Sequence, residues 1–185
     1  MPLPVGHSLA GLGLLQLTGL RFFQHRWQDA FFFVFAANLA DLDYLPGFLL
    51  GNPNLYHQGM SHSLAAALFF GVFCALFFSR KHGGNFTAYA TICALVYASH
   101  MLLDVFNNDL RAPYGVPLFW PLTEERFISP HWLFASVHKS SESAQFFQSV
   151  LSAHNFFVAL REVVVMAPVL AVAMLLAKKR RRAGA

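Results

Sequence analysis

The apolar residues of this chain fall into five long runs that lack the strict polar–apolar alternation typical of strands. The runs cover residues 5–20, 30–50, 63–79, 87–106 and 155–177. A helix needs about 20 apolar residues to cross the hydrocarbon core of a membrane, within a range of about 17 to 25. Four of the runs reach this range and the first falls just short of it. The pattern therefore predicts an all-α integral membrane helical bundle of about five apolar helices.

The longest stretch between apolar runs is residues 107–154. It contains prolines and charged residues, but also Trp120, Phe127 and Trp132, whose aromatic rings favour the membrane–water interface. Residues 140–150 predict a short helix within this stretch. No internal repeat and no shift in composition divides the chain, so we expect one membrane-embedded domain over residues 1–185.

The composition supports a membrane protein and argues against a nucleic-acid-binding one. Hydrophobic residues make up 56% of the chain and charged residues 12%, whereas a soluble domain carries about 25% charged residues. The net charge is +4, but five of the 13 Lys and Arg residues lie in the tail 178–182, directly after the last apolar run. A basic flank of this kind orients a membrane helix. We therefore expect the lipid bilayer, and not nucleic acid, as the partner.

The basic residues also predict which way the helices cross. Nine of the 13 Lys and Arg residues lie in the connection 21–28, the connection 80–85 and the tail. These three places alternate along the chain so that all can share one side of the membrane, and the positive-inside rule makes that side the cytoplasm. The N-terminus, the loop 51–62 and residues 107–154, hereafter the outward segment, then face the outside.

Several histidines and aspartates fall on the outer side of this topology, and each could bind a metal ion. They are His7, Asp41, Asp43, His57, His62, His100 and Asp104. Ionisable groups inside apolar segments are costly and usually have a partner and a task. His100 and Asp104 share one face of a helix, where they can bind a metal or simply each other. Asp41 and Asp43 would repel each other without a cation. Singly, each residue also fits an interfacial or helix-terminal position; together we expect one shared metal site.

The chemistry of this ligand set narrows the choice of metal. Imidazole and carboxylate ligands without thiolates suit zinc first, with manganese or iron as alternatives. The set exceeds the needs of one tetrahedral ion, so we expect one or two divalent ions, bridged by Asp104 or Asp41 if there are two. Such sites commonly hydrolyse substrates by activating a bound water. Asp41 or Asp43 could then act as the general base.

The candidate ligands occur in an order that resembles a known family. The order is His7 with Gly11, Asp41 with Asp43, His57 with His62 and Ser63, His100 with Asp104, and then the stretch 115–121. It resembles the YdjM-type family of inner-membrane proteins, which are regarded as LexA-regulated, metal-dependent hydrolases. Ala40 and Gln58 stand where members of that family often have proline and arginine. The resemblance covers about residues 7–121 and implies a multi-pass protein of the bacterial inner membrane, with its site facing the periplasm and its basic C-terminus in the cytoplasm.

A more distant similarity is to zinc-dependent phospholipase C and the P1-type nucleases. Those enzymes continue a comparable ligand series with further histidines and a His-x3-Glu motif, and this chain has His131, His138 and Glu142 in its outward segment. The similarity implies phosphoester hydrolysis, with His138 and Glu142 holding an additional metal ion. The same pair also fits the solvated edge of a helix, and we favour that interpretation.

The residues and the resemblance together predict a membrane-bound metal-dependent hydrolase. In this interpretation the principal metal ion is held by His57, His62, His100 and Asp104, and a second ion by His7 and Asp104. The substrate is a phosphoester or ester of a lipid or lipid-linked compound, because the site opens at the level of the lipid headgroups. Two alternatives remain open. One is a proton-coupled transporter or channel with a His and Asp relay, and the other is a non-enzymatic membrane protein with a structural metal site.

Overall fold

The computed structural model describes residues 1–110 and 112–183, and it confirms the predicted all-α bundle. The α-helices are α1 (Pro4–Thr18), α2 (Arg26–Asn38), α3 (Tyr44–Leu49), α4 (Leu64–His82), α5 (Phe86–Val105), α6 (Ser143–Val150) and α7 (Ala153–Ala183). Short 3₁₀ turns lie at Leu39–Asp43, Pro53–Leu55 and Met60–His62. Among the described residues no strand forms, and the β-type pairing within the outward segment is limited to isolated bridges.

In the described part of the chain, four helical segments are long and apolar enough to cross a membrane. They are Arg26–Leu49, Leu64–His82, Phe86–Val105 and Ala153–Ala183. These segments correspond to the four longer apolar runs of the sequence. The first is not one continuous α-helix, because α2 passes through the 3₁₀ turn Leu39–Asp43 into α3.

Helix α1 is shorter than the four spans but lies alongside α7. Its 15 residues rise about 22 Å, which is short of the roughly 30 Å of a hydrocarbon core. Near its start, the backbone N–H of Gly6 donates to the Glu162 carboxylate at 2.8 Å. Just beyond its end, Gly19 meets the guanidinium of Arg180. The two helices therefore run in the same direction, and His7 lies near the level of Glu162.

Helices α4 and α5 form a closely packed pair joined by a tight turn. Ser63 caps α4 by accepting a hydrogen bond from the backbone of Ala66, and Gly83 follows the helix with a positive φ of 67°. Asn85 then caps the start of α5. Gly71 allows the close approach, because a Cβ atom there would collide with the backbone of α5. The antiparallel pair places the loop before α4 beside the last turns of α5.

An aromatic cluster fills the bundle at the end predicted to face the cytoplasm. Phe22 is fully buried and makes edge-to-face contacts with Phe78 and Tyr89. Asp29 is also buried there, and it accepts the backbone N–H of Phe22 and pairs with Arg21 at 2.8 Å. This end is therefore closed by apolar packing, and the buried Asp29 is already paired with the Arg21 side chain.

The outward segment folds over the opposite end of the bundle. The backbone N–H of Leu64 donates to the carbonyl of Leu118 at 2.9 Å, and that of Ser129 to the carbonyl of Val105 at 2.8 Å. The short helix predicted at 140–150 is α6, which begins at Ser143. The segment thus covers the start of α4 and the end of α5, where the predicted ligands lie.

Candidate metal centre

The structure brings seven of the predicted ligand residues together in one largely buried cluster. Helix α1 contributes His7, and α5 contributes His100 and Asp104 from its last two turns. The 3₁₀ turn Leu39–Asp43 contributes Asp41 and Asp43. The loop between α3 and α4 contributes His57 and His62. Every member has a carboxylate or ring nitrogen within 3.8 Å of another member.

The change from α-helix to 3₁₀ turn at Leu39 explains how Asp41 and Asp43 both reach the cluster. In an α-helix, with about 3.6 residues per turn, side chains two positions apart point to nearly opposite sides. A 3₁₀ turn has about three residues per turn, and this tighter winding brings the two carboxylates closer in direction. Leu42 between them is 46% exposed and points away. The local backbone therefore converts an Asp-x-Asp sequence into two inward-facing acids.

The rings of His62 and His100 lie between the carboxylates of Asp41 and Asp104. His100 Nε2 is 3.4 Å from Asp41 Oδ1 and 3.5 Å from Asp104 Oδ2. His62 Nε2 is 3.6 Å and 3.4 Å from the same two oxygens, and the two Nε2 atoms are 3.2 Å apart. Ligand atoms that lie about 2.0–2.1 Å from a tetrahedral zinc ion are about 3.3 Å from each other. The nitrogen–oxygen separations fit a shared cation better than direct hydrogen bonds.

Asp104 presents its two oxygens to different histidines. Oδ2 faces His62 and His100, whereas Oδ1 lies 3.6 Å from Nε2 of His7. The His7 ring stacks on the His100 ring with a centroid separation of 3.7 Å. The two oxygens of Asp104 therefore face different histidines.

Several buried polar atoms of the cluster have no hydrogen-bond partner among the described residues. They are both ring nitrogens of His7, both oxygens of Asp41, both oxygens of Asp104, and Nε2 of His57. A buried polar atom without a partner costs about 1–3 kcal/mol, and more if it is charged, so such atoms are rare in folded proteins. Within the cluster as a whole, three overlapping groups could hold a metal ion. They are His7 with Asp41 and His100, Asp41 with His57 and His62, and His62 with His100 and Asp104.

Asp43 differs from Asp41 because donors of the protein already occupy both its oxygens. Its Oδ1 lies 2.9 Å from His57 Nδ1, and its Oδ2 accepts hydrogen bonds from Ser61 Oγ and from a backbone N–H. Its Oδ2 is also 3.1 Å from His62 Nδ1. A carboxylate on the far nitrogen of a ligating histidine fixes the ring and its tautomer. Asp43 thus holds two histidines from behind, and the carbonyl of Ala37 holds Nδ1 of His100 in the same way at 2.8 Å.

The protonation of the two loop histidines follows from their surroundings. Burial, helped by the charge of Lys139, lowers the pKa of His57 to about 3, so the ring is neutral and able to bind a metal. Burial would also lower the pKa of His62, but the neighbouring carboxylates of Asp41, Asp43 and Asp104 outweigh it and raise that pKa to about 10. The proton on His62 offsets the carboxylate charge, and a bound cation would take its place.

Tyr44 contacts the cluster and Lys139 contacts Tyr44, and neither residue was predicted from the sequence. The ring of Tyr44 stacks on His57 with a centroid separation of 4.0 Å. Lys139 of the outward segment donates to the hydroxyl of Tyr44 at 2.6 Å. Tyr44 directly follows the Asp-x-Asp motif, and that adjacency could have revealed it. Lys139 is 95 positions away in the chain, and no local pattern marks it.

The additional pair His138 and Glu142 lies outside these three groups. His138 stacks on His154 with a centroid separation of 3.7 Å. Glu142 precedes α6 and accepts a hydrogen bond from Gln145 at 2.8 Å. The two side chains have different partners, and a further metal site at this pair stays a prediction.

Comparison with known proteins identifies the family of the chain. Residues 1–183 match the model of the family described as YdjM inner membrane protein. No curated protein and no solved structure matches the chain, and the similarity to phospholipase C stays a prediction. The family match extends past the motifs into the outward segment and α7, and it agrees with the four apolar spans. Because the match covers nearly the whole chain, the protein belongs to the YdjM family of inner membrane proteins.

Proposed function

We propose that this protein is a metal-dependent hydrolase whose centre is built on His62, His100, Asp41 and Asp104. The observation that carries the proposal is the set of unpartnered buried oxygens on Asp41 and Asp104. These oxygens lie 3.4–3.6 Å from the histidine nitrogens, which is the spacing of two ligands on one ion. The ligand chemistry favours zinc, with manganese or iron as alternatives.

The remaining residues of the cluster have supporting roles in this proposal. His7 and Oδ1 of Asp104 would hold a second ion, with Asp104 as the bridge. His57 offers its free Nε2 to the same region, while Asp43 orients His57 and His62. A bound divalent ion supplies Lewis acidity and an activated water.

Asp41 is suited to act as the general base or as an exchangeable ligand. Its side chain is 14% exposed, whereas those of His62, His100 and Asp104 are fully buried. A general base must lie within hydrogen-bond reach of the water whose proton it accepts. Asp41 contacts both central histidines, and its oxygens, although buried, have no hydrogen-bond partner among the described residues.

The orientation of the membrane spans favours a site at the periplasmic face. Basic residues follow or end α4 and α7 at the end opposite to the cluster, and the positive-inside rule places that end in the cytoplasm. The cluster lies where the 3₁₀ turn follows α2 and where α5 ends, beneath the outward segment. At this depth a lipid or lipid-linked phosphoester or ester is the substrate that would meet the metal.

The fold argues against a proton relay across the membrane. A relay needs ionisable groups at successive depths. At the cytoplasmic end, Phe22, Phe78 and Tyr89 fill the bundle instead, and Asp29 is paired with Arg21. A structural metal site is the alternative that an activity assay must separate.

The proposal is tested by metal analysis followed by an activity assay. We expect protein purified in detergent to contain one or two equivalents of a transition metal, and the His100→Ala and Asp104→Asn variants to lose most of it. The matched control is His82→Ala, an exposed histidine at the opposite end of the bundle. Metal-loaded protein should release product from a panel of phospholipids and lipid-linked phosphates. Wild-type protein that cannot be loaded with metal contradicts the proposal, and loaded protein without any product release indicates a structural site.

A further inference from the structure

Asp41 lines a small apolar cavity. The cavity has a volume of about 180 Å³ and is lined by Asp41 together with apolar side chains that include Pro4, Phe48, Phe146 and Val150. An apolar cavity of about 150 Å³ is large enough to hold benzene. The space beside Asp41 therefore accommodates a short length of hydrocarbon, such as the part of a chain next to a headgroup.

A second cavity adjoins the first and is lined mainly by polar residues. It has a volume of about 410 Å³, and its lining includes Asn107, Asn108, Asp109, Ser140 and Ser149. Met1, Val137 and Lys139 line both cavities. The two spaces therefore form one amphipathic groove, with its polar part and its apolar part meeting at Lys139.

Lys139 links this meeting point to the metal cluster. Its ammonium group donates to the hydroxyl of Tyr44 at 2.6 Å and lies 5.2 Å from the centroid of that ring. Tyr44 stacks on His57, and His57 bonds to Asp43. A lysine at this junction can pair with an anionic group such as a phosphate.

We propose that the groove recognises an anionic amphiphile with a single slender chain. Its phosphate-type headgroup is held by Lys139 at the polar cavity, and the first part of its hydrocarbon chain lies in the apolar cavity beside Asp41. This inference rests on the proposed hydrolase function, because it names the substrate class of the same site. It adds that Lys139 selects ligands with an anionic headgroup and that the apolar cavity selects ligands with a hydrocarbon chain.

Binding of non-hydrolysable probes tests the inference separately from catalysis. The protein is placed in nanodiscs of neutral lipid, and its affinity is measured for dodecylphosphonate, ethylphosphonate and dodecyltrimethylammonium. We expect dodecylphosphonate to bind at least about tenfold more tightly than either other probe, because only it satisfies both cavities. Ethylphosphonate tests a free phosphate-like ion as the ligand, and the cationic probe reports simple partitioning into lipid.

Two variants separate the two parts of the groove. Lys139→Gln should weaken dodecylphosphonate binding about tenfold, since a charge-assisted contact is lost. Val150→Trp should fill the apolar cavity and reduce the preference for the long chain, while ethylphosphonate binding is unchanged. Lys81→Gln, at the other end of the bundle, is the matched control for the loss of one lysine. Metal content is measured for every variant, so that a misfolded protein is recognised.

The outcomes distinguish this inference from the proposed function. Unchanged dodecylphosphonate binding in Lys139→Gln, or equal binding of the three probes, overturns the inference even if the protein holds metal and hydrolyses a lipid ester. Conversely, protein without metal or product release contradicts the hydrolase proposal. Selective binding of dodecylphosphonate in that case would show an amphiphile site without catalysis.

Discussion

At the scale of single residues, the two acids of the Asp-x-Asp motif have different environments. Asp41 has unpartnered oxygens and partial exposure, whereas the oxygens of Asp43 are occupied by His57, Ser61 and a backbone amide. The first is placed to contact an ion or a water molecule. The second orients His57 and His62, so the two positions should respond differently to the same substitution.

Asp43→Asn should weaken metal binding without abolishing it. The amide keeps the size of the side chain but holds His57 and His62 less firmly, and losing such a partner typically costs about 10–100-fold in metal affinity. We expect the variant to reach the wild-type metal content at a higher free zinc concentration. Competition titration with a zinc chelator measures this shift, and Glu124→Gln serves as an exposed acid outside every candidate metal site. A wild-type affinity in Asp43→Asn would contradict the role assigned to this carboxylate.

At the scale of elements, the position of α1 relative to α2 determines where His7 lies. Gly11 of α1 faces the backbone of α2, and a Cβ atom placed there would lie 2.6 Å from the carbonyl oxygen of Phe33. Gly13, half a turn further on, faces α7, and a Cβ atom there would lie 3.9 Å from that of Ala173. Of these two glycines, only Gly11 is required for close packing.

Gly11→Ala should destabilise the protein, and Gly13→Ala should not. Overpacking a close contact typically costs about 1–3 kcal/mol, whereas alanine in an unobstructed helix position gains up to about 1 kcal/mol over glycine. We expect a lower Tm in detergent for Gly11→Ala, together with weaker binding of a second metal ion, because His7 moves with α1. Thermal unfolding and metal titration of the two variants provide the comparison, and equal Tm values would argue against the packing described here.

How far the site could be predicted depends on how local each contact is. The i, i+4 spacing on a helix is enough to make His100 and Asp104 neighbours. The distribution of Lys and Arg was enough to place the other candidates on the same side of the membrane. The support of His57 and His62 by Asp43 depends on a 3₁₀ turn and on the path of a loop, which the hydrophobic pattern does not encode. Lys139 reaches Tyr44 only through the fold of the outward segment. Contacts within a helix were therefore predictable, and contacts made by irregular backbone were not.

At the scale of the whole molecule, the two ends of the bundle have opposite character. One end holds the metal cluster beneath the outward segment, and the other is closed by aromatic side chains and surrounded by basic residues. The positive-inside rule assigns the basic end to the cytoplasm. The same rule predicts that the cluster faces the periplasm. A single measurement of orientation therefore tests the position of the basic end and that of the cluster.

Cysteine labelling in intact cells should place the outward segment outside. Leu122 of that segment is 90% exposed, and Lys81 lies in the last turn of α4 at the basic end. A membrane-impermeant maleimide should label Leu122→Cys in intact cells and Lys81→Cys only after permeabilisation. The native Cys74 and Cys93 are buried within the spans and serve as the unlabelled background. The reverse labelling pattern would place the cluster in the cytoplasm.

The attachment of α1 to α7 also bears on how the protein is made. Glu162 of α7 accepts hydrogen bonds from the backbone of Leu3 and of Gly6, next to His7. During synthesis, α1 leaves the ribosome first and α7 last, so these bonds form only after the final span has entered the bilayer. A growing chain therefore cannot fix its first histidine. The proposed second metal ion therefore depends on a late step of biogenesis, and a chain cut short before α7 would not hold His7 in place.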